Sequence, residues 1–230
     1  MNGSVKEVNT IENRMKLIFD AASYLFINKG YSRTQMKDVA KEIGLSTGML
    51  YVYFTGKRDI LSFLLKGTIE PVFVTQEFEL PIRSELFDSL DNEIMEAFEQ
   101  NTGAFSAHLD DIANYPLDQM LSEAFDVISK YGIGCLLIEK NPDDLGKLTG
   151  YYKQYRQKFY NQVLSYITQY MQNGTFRQVE LPQYVAHLII ETLSWWGMHI
   201  TNDAFETQKD ITVETAKSIC MDNLLHAYKR

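Results

Sequence analysis

Cysteine is almost missing from this chain: among 230 residues only Cys135 and Cys220 occur, far apart and each in an apolar stretch. That spacing builds neither a disulfide framework nor a thiolate metal site, so two reduced core thiols are expected. Histidine is scarce as well. His108, His187, His199 and His226 are dispersed, and no Glu is followed three residues later by His. This excludes the paired Glu-x-x-His ligands of a di-iron bundle, and no metal is expected. Long apolar runs are lacking too. The most apolar late stretch, from Val185 to Ile200, is interrupted by His187 and Glu191 and is too short to cross a bilayer. The opening MNGSVKEVNTIENR has no apolar core, so no signal peptide is expected and the chain reads as cytoplasmic. The tripeptides Asn2-Gly3-Ser4 and Asn173-Gly174-Thr175 match a glycosylation pattern that an unsecreted chain would not use. Strand-type alternation is also absent, with Val72 to Leu80 the nearest approach.

An excess of positive charge is missing from the total, which is −8. An acidic sum argues against nucleic acid only if the charge is evenly spread. It is not. The first 66 residues carry ten Lys/Arg against six Asp/Glu, a surplus of four positive charges, and the remainder holds twelve against 24. A basic head on an acidic body points to an electrostatic partner for the head.

What is present is helical periodicity. Ile11, Met15, Ile18, Ala22 and Leu25 form one stripe, with Phe19 and Phe26 widening it and Gly30 as a stop. Met36, Val39, Ala40 and Ile43 mark a short second helix ended by Gly44. A third covers about 47–54, and a fourth begins near Lys57 and ends or kinks at Pro71. Beyond Pro81 the spacing predicts helices over 84–100 and 116–130. A long one follows, carrying Leu148, Tyr152, Tyr155, Phe159, Tyr166 and Tyr170 and stopping at Asn173-Gly174. The next opens at Pro182 and is apolar nearly all round, and a last one covers about 212–228. The expected fold is all-α: a three-helix helix-turn-helix domain over residues 1–66 and a helical bundle over 67–230.

The chemistry concentrates in residues 34–57. Two short helices joined by a tight turn inside a basic three-helix unit have the layout of a helix-turn-helix. Thr34 suits an N-cap, and Lys37 stands where a capping box would want Glu or Gln. Without the box, the first-turn amides should be free to meet a phosphate. Gly44 suits the left-handed residue that ends a helix, Leu45 can fill the angle, and Ser46 caps the second helix. There Leu50 and Phe54 form the inner stripe, flanked by Tyr51 and Tyr53, while Gly48 faces outward. A helical glycine costs about 1 kcal/mol, and close approach to DNA would justify it.

The run Gly30-Tyr31, Thr34, Asp38-Val39-Ala40, Gly44-Leu45-Ser46, Gly48, Leu50-Tyr51-Val52-Tyr53-Phe54 and Lys57 resembles the N-terminal domain of TetR-type transcriptional regulators, over about residues 11–66. Gln35 replaces a second threonine common in that family, and Tyr53 stands where histidine is frequent. Both keep a hydrogen-bonding side chain. The resemblance implies an all-helical homodimer that binds a palindromic double-stranded DNA operator. It also implies repression, and release by a small molecule held in the C-terminal domain. An activator or a protein-interaction regulator on the same fold is the alternative. Carried over by position, Thr34, Gln35, Ser46, Thr47, Gly48, Tyr51, Tyr53 and Lys57 match DNA-touching sites. Lys57 and Tyr53 are expected at phosphates, and Thr47, Gly48 and Tyr51 nearest the base edges.

Competing motifs fail on context. Gly44-Leu45-Ser46-Thr47-Gly48 satisfies the nucleophile-elbow pattern, but the residues before it have helical rather than strand spacing. Gly132-Ile133-Gly134 has Leu at the third glycine position and is no dinucleotide fingerprint. No enzyme and no cofactor is expected. Tyr152, Tyr155, Phe159, Trp195 and His199 are candidate effector contacts, although aromatics at helical spacing are more often core. Ile189, Trp196 and Leu224, on the final two long helices, are expected at the dimer interface.

Overall fold

The computed structural model of the chain describes residues 2–203 and 211–230, with side chains from Asn13 onward; Ile11 lies outside the described side chains. Helix α1 (Asn2–Leu25) ends in a π turn (Phe26–Gly30), where Gly30 takes φ +93°. Then come α2 (Met36–Glu42), α3 (Thr47–Tyr53) and α4 (Lys57–Ile69). Pro71 stops α4 and opens a 3-10 turn over Pro71–Thr75, with a second at Ser84–Phe87. After these follow α5 (Leu90–Ser106), a 3-10 stretch (Ala107–Asn114), α6 (Leu117–Lys130), α7 (Gly132–Lys140) and α8 (Gly146–Gln172). The chain closes with α9 (Pro182–Ser194), a π turn (Trp195–His199), the short α10 (Ile200–Asn202) and α11 (Val213–Tyr228). Among the described residues there is no strand, and the stretch 72–80 is a 3-10 turn running into irregular chain. The helix expected over 84–100 begins only at Leu90 and runs to Ser106.

The chain folds as two compact units. The first comprises residues up to Met95 together with Ile133–Thr149, and the second Glu96–Gly132 with Gly150–Arg230. The unit holding the helix-turn-helix therefore runs past residue 66 and takes up a segment more than sixty residues further on. Side chains explain both additions. Phe63 of α4 lies 5.2 Å from the Phe54 ring, 5.8 Å from Phe73 and 5.9 Å from Phe78, so the chain after Pro71 closes the same aromatic core. Gly67 permits this closeness, since a Cβ there would lie 2.6 Å from Val74 Cγ2 and 2.7 Å from Phe19 Cε2. Gly134 allows α7 to approach α4, where its Cβ would meet Thr68 Oγ1 at 2.7 Å. That close approach is the physical use of the second glycine in Gly132-Ile133-Gly134.

The second unit buries Phe105, Tyr115, Phe125, Val163, Tyr166, Ile189, Leu193 and Cys220 in one core. Its buried tyrosines satisfy their hydroxyls on nearby acceptors: Tyr166 donates to the Phe105 carbonyl, Tyr170 to that of Tyr115, and Tyr115 to Glu123. Burial, and for Tyr115 the neighbouring Glu123 carboxylate, pushes these phenols well above their ordinary range. Burial likewise pushes the Cys220 thiol up to about 11. Both cysteines are buried thiols outside any disulfide, as the composition predicts.

Candidate nucleic-acid interface

The segment entering α2 is built one residue later than the spacing suggests. Gln35, not Thr34, is the N-cap. Its amide donates to Asp38 Oδ2 at 2.9 Å while its side chain receives the Asp38 amide, so a capping box is present. Asp38 also takes Lys29 Nζ at 2.6 Å, and these bonds hold its carboxyl below the usual range, Lys29 contributing most. Thr34 is fully buried and donates its hydroxyl to the Gly30 carbonyl at 2.8 Å. Two expectations change in consequence. Thr34 props the loop from inside and presents no hydroxyl to DNA. The first turn of α2 is occupied by its own box. The helical pattern marks where a helix begins only to within a residue, and Thr and Gln can both cap.

The turn follows its sequence closely. Gly44 takes φ +69°, the Leu45 amide reaches the Ala40 carbonyl at 2.8 Å, and Ser46 Oγ accepts from the Met49 amide at 3.2 Å. Helix α3 then buries Leu50 and Phe54 completely. Tyr53 goes inward with them at 8 % exposure, so the ring expected at a phosphate is mostly core. Outward stand Ser46, Gly48, Met49, Tyr51 and Val52, all exposed, with Thr47 and the capping Gln35 at the margins. A Cβ on Gly48 would meet nothing within 4 Å. The far end of α3 is tied down by two main-chain bonds, Ile82 amide to Tyr53 carbonyl at 2.8 Å and Thr55 amide to Ile82 carbonyl at 3.2 Å.

Lys57, expected at a phosphate, spends two of its three protons inside the unit. Nζ donates to the Tyr31 carbonyl at 2.7 Å and the Thr34 carbonyl at 2.8 Å, and sits 4.0 Å above the Tyr31 ring. Burial lowers its pKa from the ordinary lysine value. The same loop is held from the other side by Asn141, which accepts from the Tyr31 amide at 2.6 Å and donates to the carbonyls of Phe26 and Leu137. Asp144 beside it accepts from the Ser32 hydroxyl, and its carbonyl receives Arg58. No local pattern marks Asn141 or Asp144, because, Leu137 apart, the partners named here lie more than eighty residues away in sequence. Arg33, Lys37 and Lys41, all exposed, lie on α2 and just before it, and α2 packs against α3.

In the second unit the expected effector residues fall into three places. Tyr155 and Tyr152 pack against Phe98, at 4.8 Å and 6.3 Å between ring centres, and Tyr131 stacks on the same ring at 5.2 Å. Phe159 packs on Phe105 at 5.3 Å. Trp195 is half exposed and stacks on His199 at 5.5 Å. A concavity of about 300 Å³ lies instead along α8 and α9, lined by Lys153, Arg156, Tyr160, His187 and Glu191 among others. The expected dimer contacts need correcting. Ile189 and Leu224 are buried inside the core of their own unit and cannot meet a second chain, while Trp196 is half-buried against that core. The apolar side chains that α9 and the residues on either side of it leave in solvent are Leu181, Tyr184, Leu188 and Trp195, which recur at helical spacing.

Residues 18–62 match the bacterial regulatory proteins of the tetR family. The HTH-type transcriptional regulator HbdR of Aromatoleum sp. (strain CIB) is 40 % identical over 86 residues, 36 % of this chain and 36 % of that protein. The fatty acid metabolism regulator protein of Bacillus subtilis (strain 168) is 41 % identical over 49 residues, 21 % of this chain and 25 % of that one. The chain thus spans about a third or less of these relatives' length. A transcriptional regulator from Saccharomonospora viridis, crystallised in complex with choline, has a similar fold: TM-score 0.52 at 15 % identity, covering 95 % of this chain and 98 % of that one.

Proposed function

We propose that this chain, a TetR-family transcriptional regulator, represses its target genes by binding a palindromic DNA operator as a homodimer, and that a small molecule bound in the second unit releases it. The observation that carries the reading is the state of α3. Its inner residues are locked, both ends are tied, and its outer face of Ser46, Gly48, Met49, Tyr51 and Val52 is bare. A rigid helix with an uncovered outer face, packed beside an α2 that carries the exposed Lys37 and Lys41 with Arg33 before it, has the form of a probe for the major groove. Gln35, Ser46, Thr47, Gly48 and Tyr51 are placed at or near the duplex. Thr34, Tyr53 and Lys57 support them from within, with one Lys57 proton left for a phosphate.

The stripe of Leu181, Tyr184, Leu188 and Trp195 is assigned to the partner protomer, because an exposed apolar row on a helix is stable in water only when a second surface covers it. Trp195 thereby moves from effector contact to dimer contact. The effector is placed with the aromatic group of Tyr152, Tyr155 and Phe159. The choline held by the Saccharomonospora protein is the kind of small cation whose charge is attracted by ring faces.

The test is footprinting of the full chain on the promoter region upstream of its own gene, over a salt series. Two protected half-sites about 34 Å apart or a multiple of that, with affinity falling steeply as salt rises, support the reading. A single unpaired footprint, or transcription that rises on binding, removes the palindromic repressor.

A further inference from the structure

Helix α3, Thr-Gly-Met-Leu-Tyr-Val-Tyr, contains no Arg, Lys, Asn, Gln, Asp or Glu. Bases are commonly told apart by such side chains: Arg or Lys on guanine, Asn or Gln on adenine, and a carboxylate on cytosine. This helix can make none of those bonds. Its exposed face is instead largely apolar: Met49, Tyr51 and Val52 are 44 %, 49 % and 51 % exposed. At about 100° per residue, Gly48 and Val52 point within about 40° of each other, directly away from the buried Leu50. Both residues are costly there. Gly48 weakens the helix with no neighbour that needs its small size. Val52 places a stiff branched chain in water, where a long polar residue would favour the helix more. Two locally unfavourable residues on one outward line are explained if that line meets another surface closely. The exposed Arg33, Lys37 and Lys41 and the positive head identify that surface as anionic.

We propose that Val52 is a specificity-determining residue, and that it reads the C5-methyl groups of thymine in the major groove while Gly48 lets the backbone come close enough for the contact. The thymine methyl is the one base feature in that groove that an aliphatic side chain can recognise. Each operator half-site therefore contains at least one thymine chosen by apolar contact, with no bidentate base pair made from α3. The inference rests on the DNA-binding reading above and adds the chemistry of the recognised base.

The experiment selects binding sites for the full chain from a random duplex library, then replaces each half-site thymine by uracil, which removes only the methyl. Burying one methyl-sized group is worth roughly fivefold in affinity. The expected result is about a fivefold weakening at one thymine, a weakening that disappears in Val52→Ala while the salt slope is unchanged. Val52 is half exposed and is not among the buried core residues, so this variant should fold; Val52→Thr, which keeps one methyl, should retain part of the uracil effect. The inference is overturned if every uracil substitution changes affinity less than about twofold, if Val52→Ala keeps the full uracil penalty, or if the selected half-site has no thymine. Complete absence of salt-dependent binding to any duplex would instead overturn the DNA-binding reading itself.

Discussion

Lys57 Nζ bridges the carbonyls of Tyr31 and Thr34 and stands 4.0 Å above the Tyr31 ring, so a cation at the start of α4 fastens the loop that leads into α2. Charge-assisted bonds to partly buried carbonyls contribute about 1.5–3 kcal/mol each when intact. Lys57→Met keeps the stem and removes the charge. It should lower the unfolding free energy in urea by about 2 kcal/mol, and it should change the salt slope of DNA binding by less than one phosphate's worth. A full one-unit fall in slope at unchanged stability would show that Lys57 works mainly on phosphate.

Gly48 and Gly67 are both helical glycines, and they should respond to alanine in opposite ways. At Gly67 the new methyl would overlap Val74 and Phe19, so Gly67→Ala should destabilise by about 1–3 kcal/mol. At Gly48 it meets nothing, and Gly48→Ala should stabilise by up to about 1 kcal/mol while weakening DNA binding. Thermal unfolding of the two variants beside a binding titration checks the pair.

Asn141 satisfies three main-chain groups from one buried side chain. Asn141→Ala leaves the Tyr31 amide and the Phe26 carbonyl without it, a loss of about 2–3 kcal/mol. Hydrogen exchange should quicken at the Tyr31 amide well before it quickens in α4.

Glu93 accepts from the Ser89 hydroxyl and from Lys66 at 2.9 Å, and its pKa is lowered from 4.5, with the Ser89 bond the largest cause and Lys66 next. A carboxylate with a depressed folded pKa contributes stability above its unfolded pKa, and this is lost as pH falls through the folded value. Stability should therefore fall on acidification below about pH 4.5, and Glu93→Gln should flatten that fall. An acid limb of unchanged steepness in the variant would assign it to other carboxylates.

Leu188 is 57 % exposed in the middle of the apolar row on α9. On the homodimer proposed above, Leu188→Glu should leave the helix content intact and give a monomer in sedimentation, with weaker binding to a two-half-site operator. A dimer that survives the charge would place the interface elsewhere.

Much of the DNA-reading unit is legible from local pattern because local forces build it. Gly44 is needed for a positive φ, Ser46 can cap its own helix, and Leu50 and Phe54 lie one turn apart. Local pattern leaves the α2 cap open by one residue, since Thr34 and Gln35 are both competent and only the buried loop beneath decides which turns inward. In the second unit, the α9 wheel marks an almost wholly apolar helix but not its sides. Ile189 and Leu188 look equivalent in sequence, yet one is core and the other bare.

Local pattern carries most of the helices, the charge division between head and body, and a helix at 47–53 without bidentate side chains, but not the start of α5 or the presence of α7. Those properties depend on residues within a few turns of one another. Long-range packing alone sets Lys57 and Asn141 to serve a loop and turns Thr34 and Tyr53 inward. It also decided that residues 133–149 belong with the head. Each of these depends on which distant carbonyl, ring or amide comes to lie within about 3–4 Å, and spacing along the chain carries no record of that.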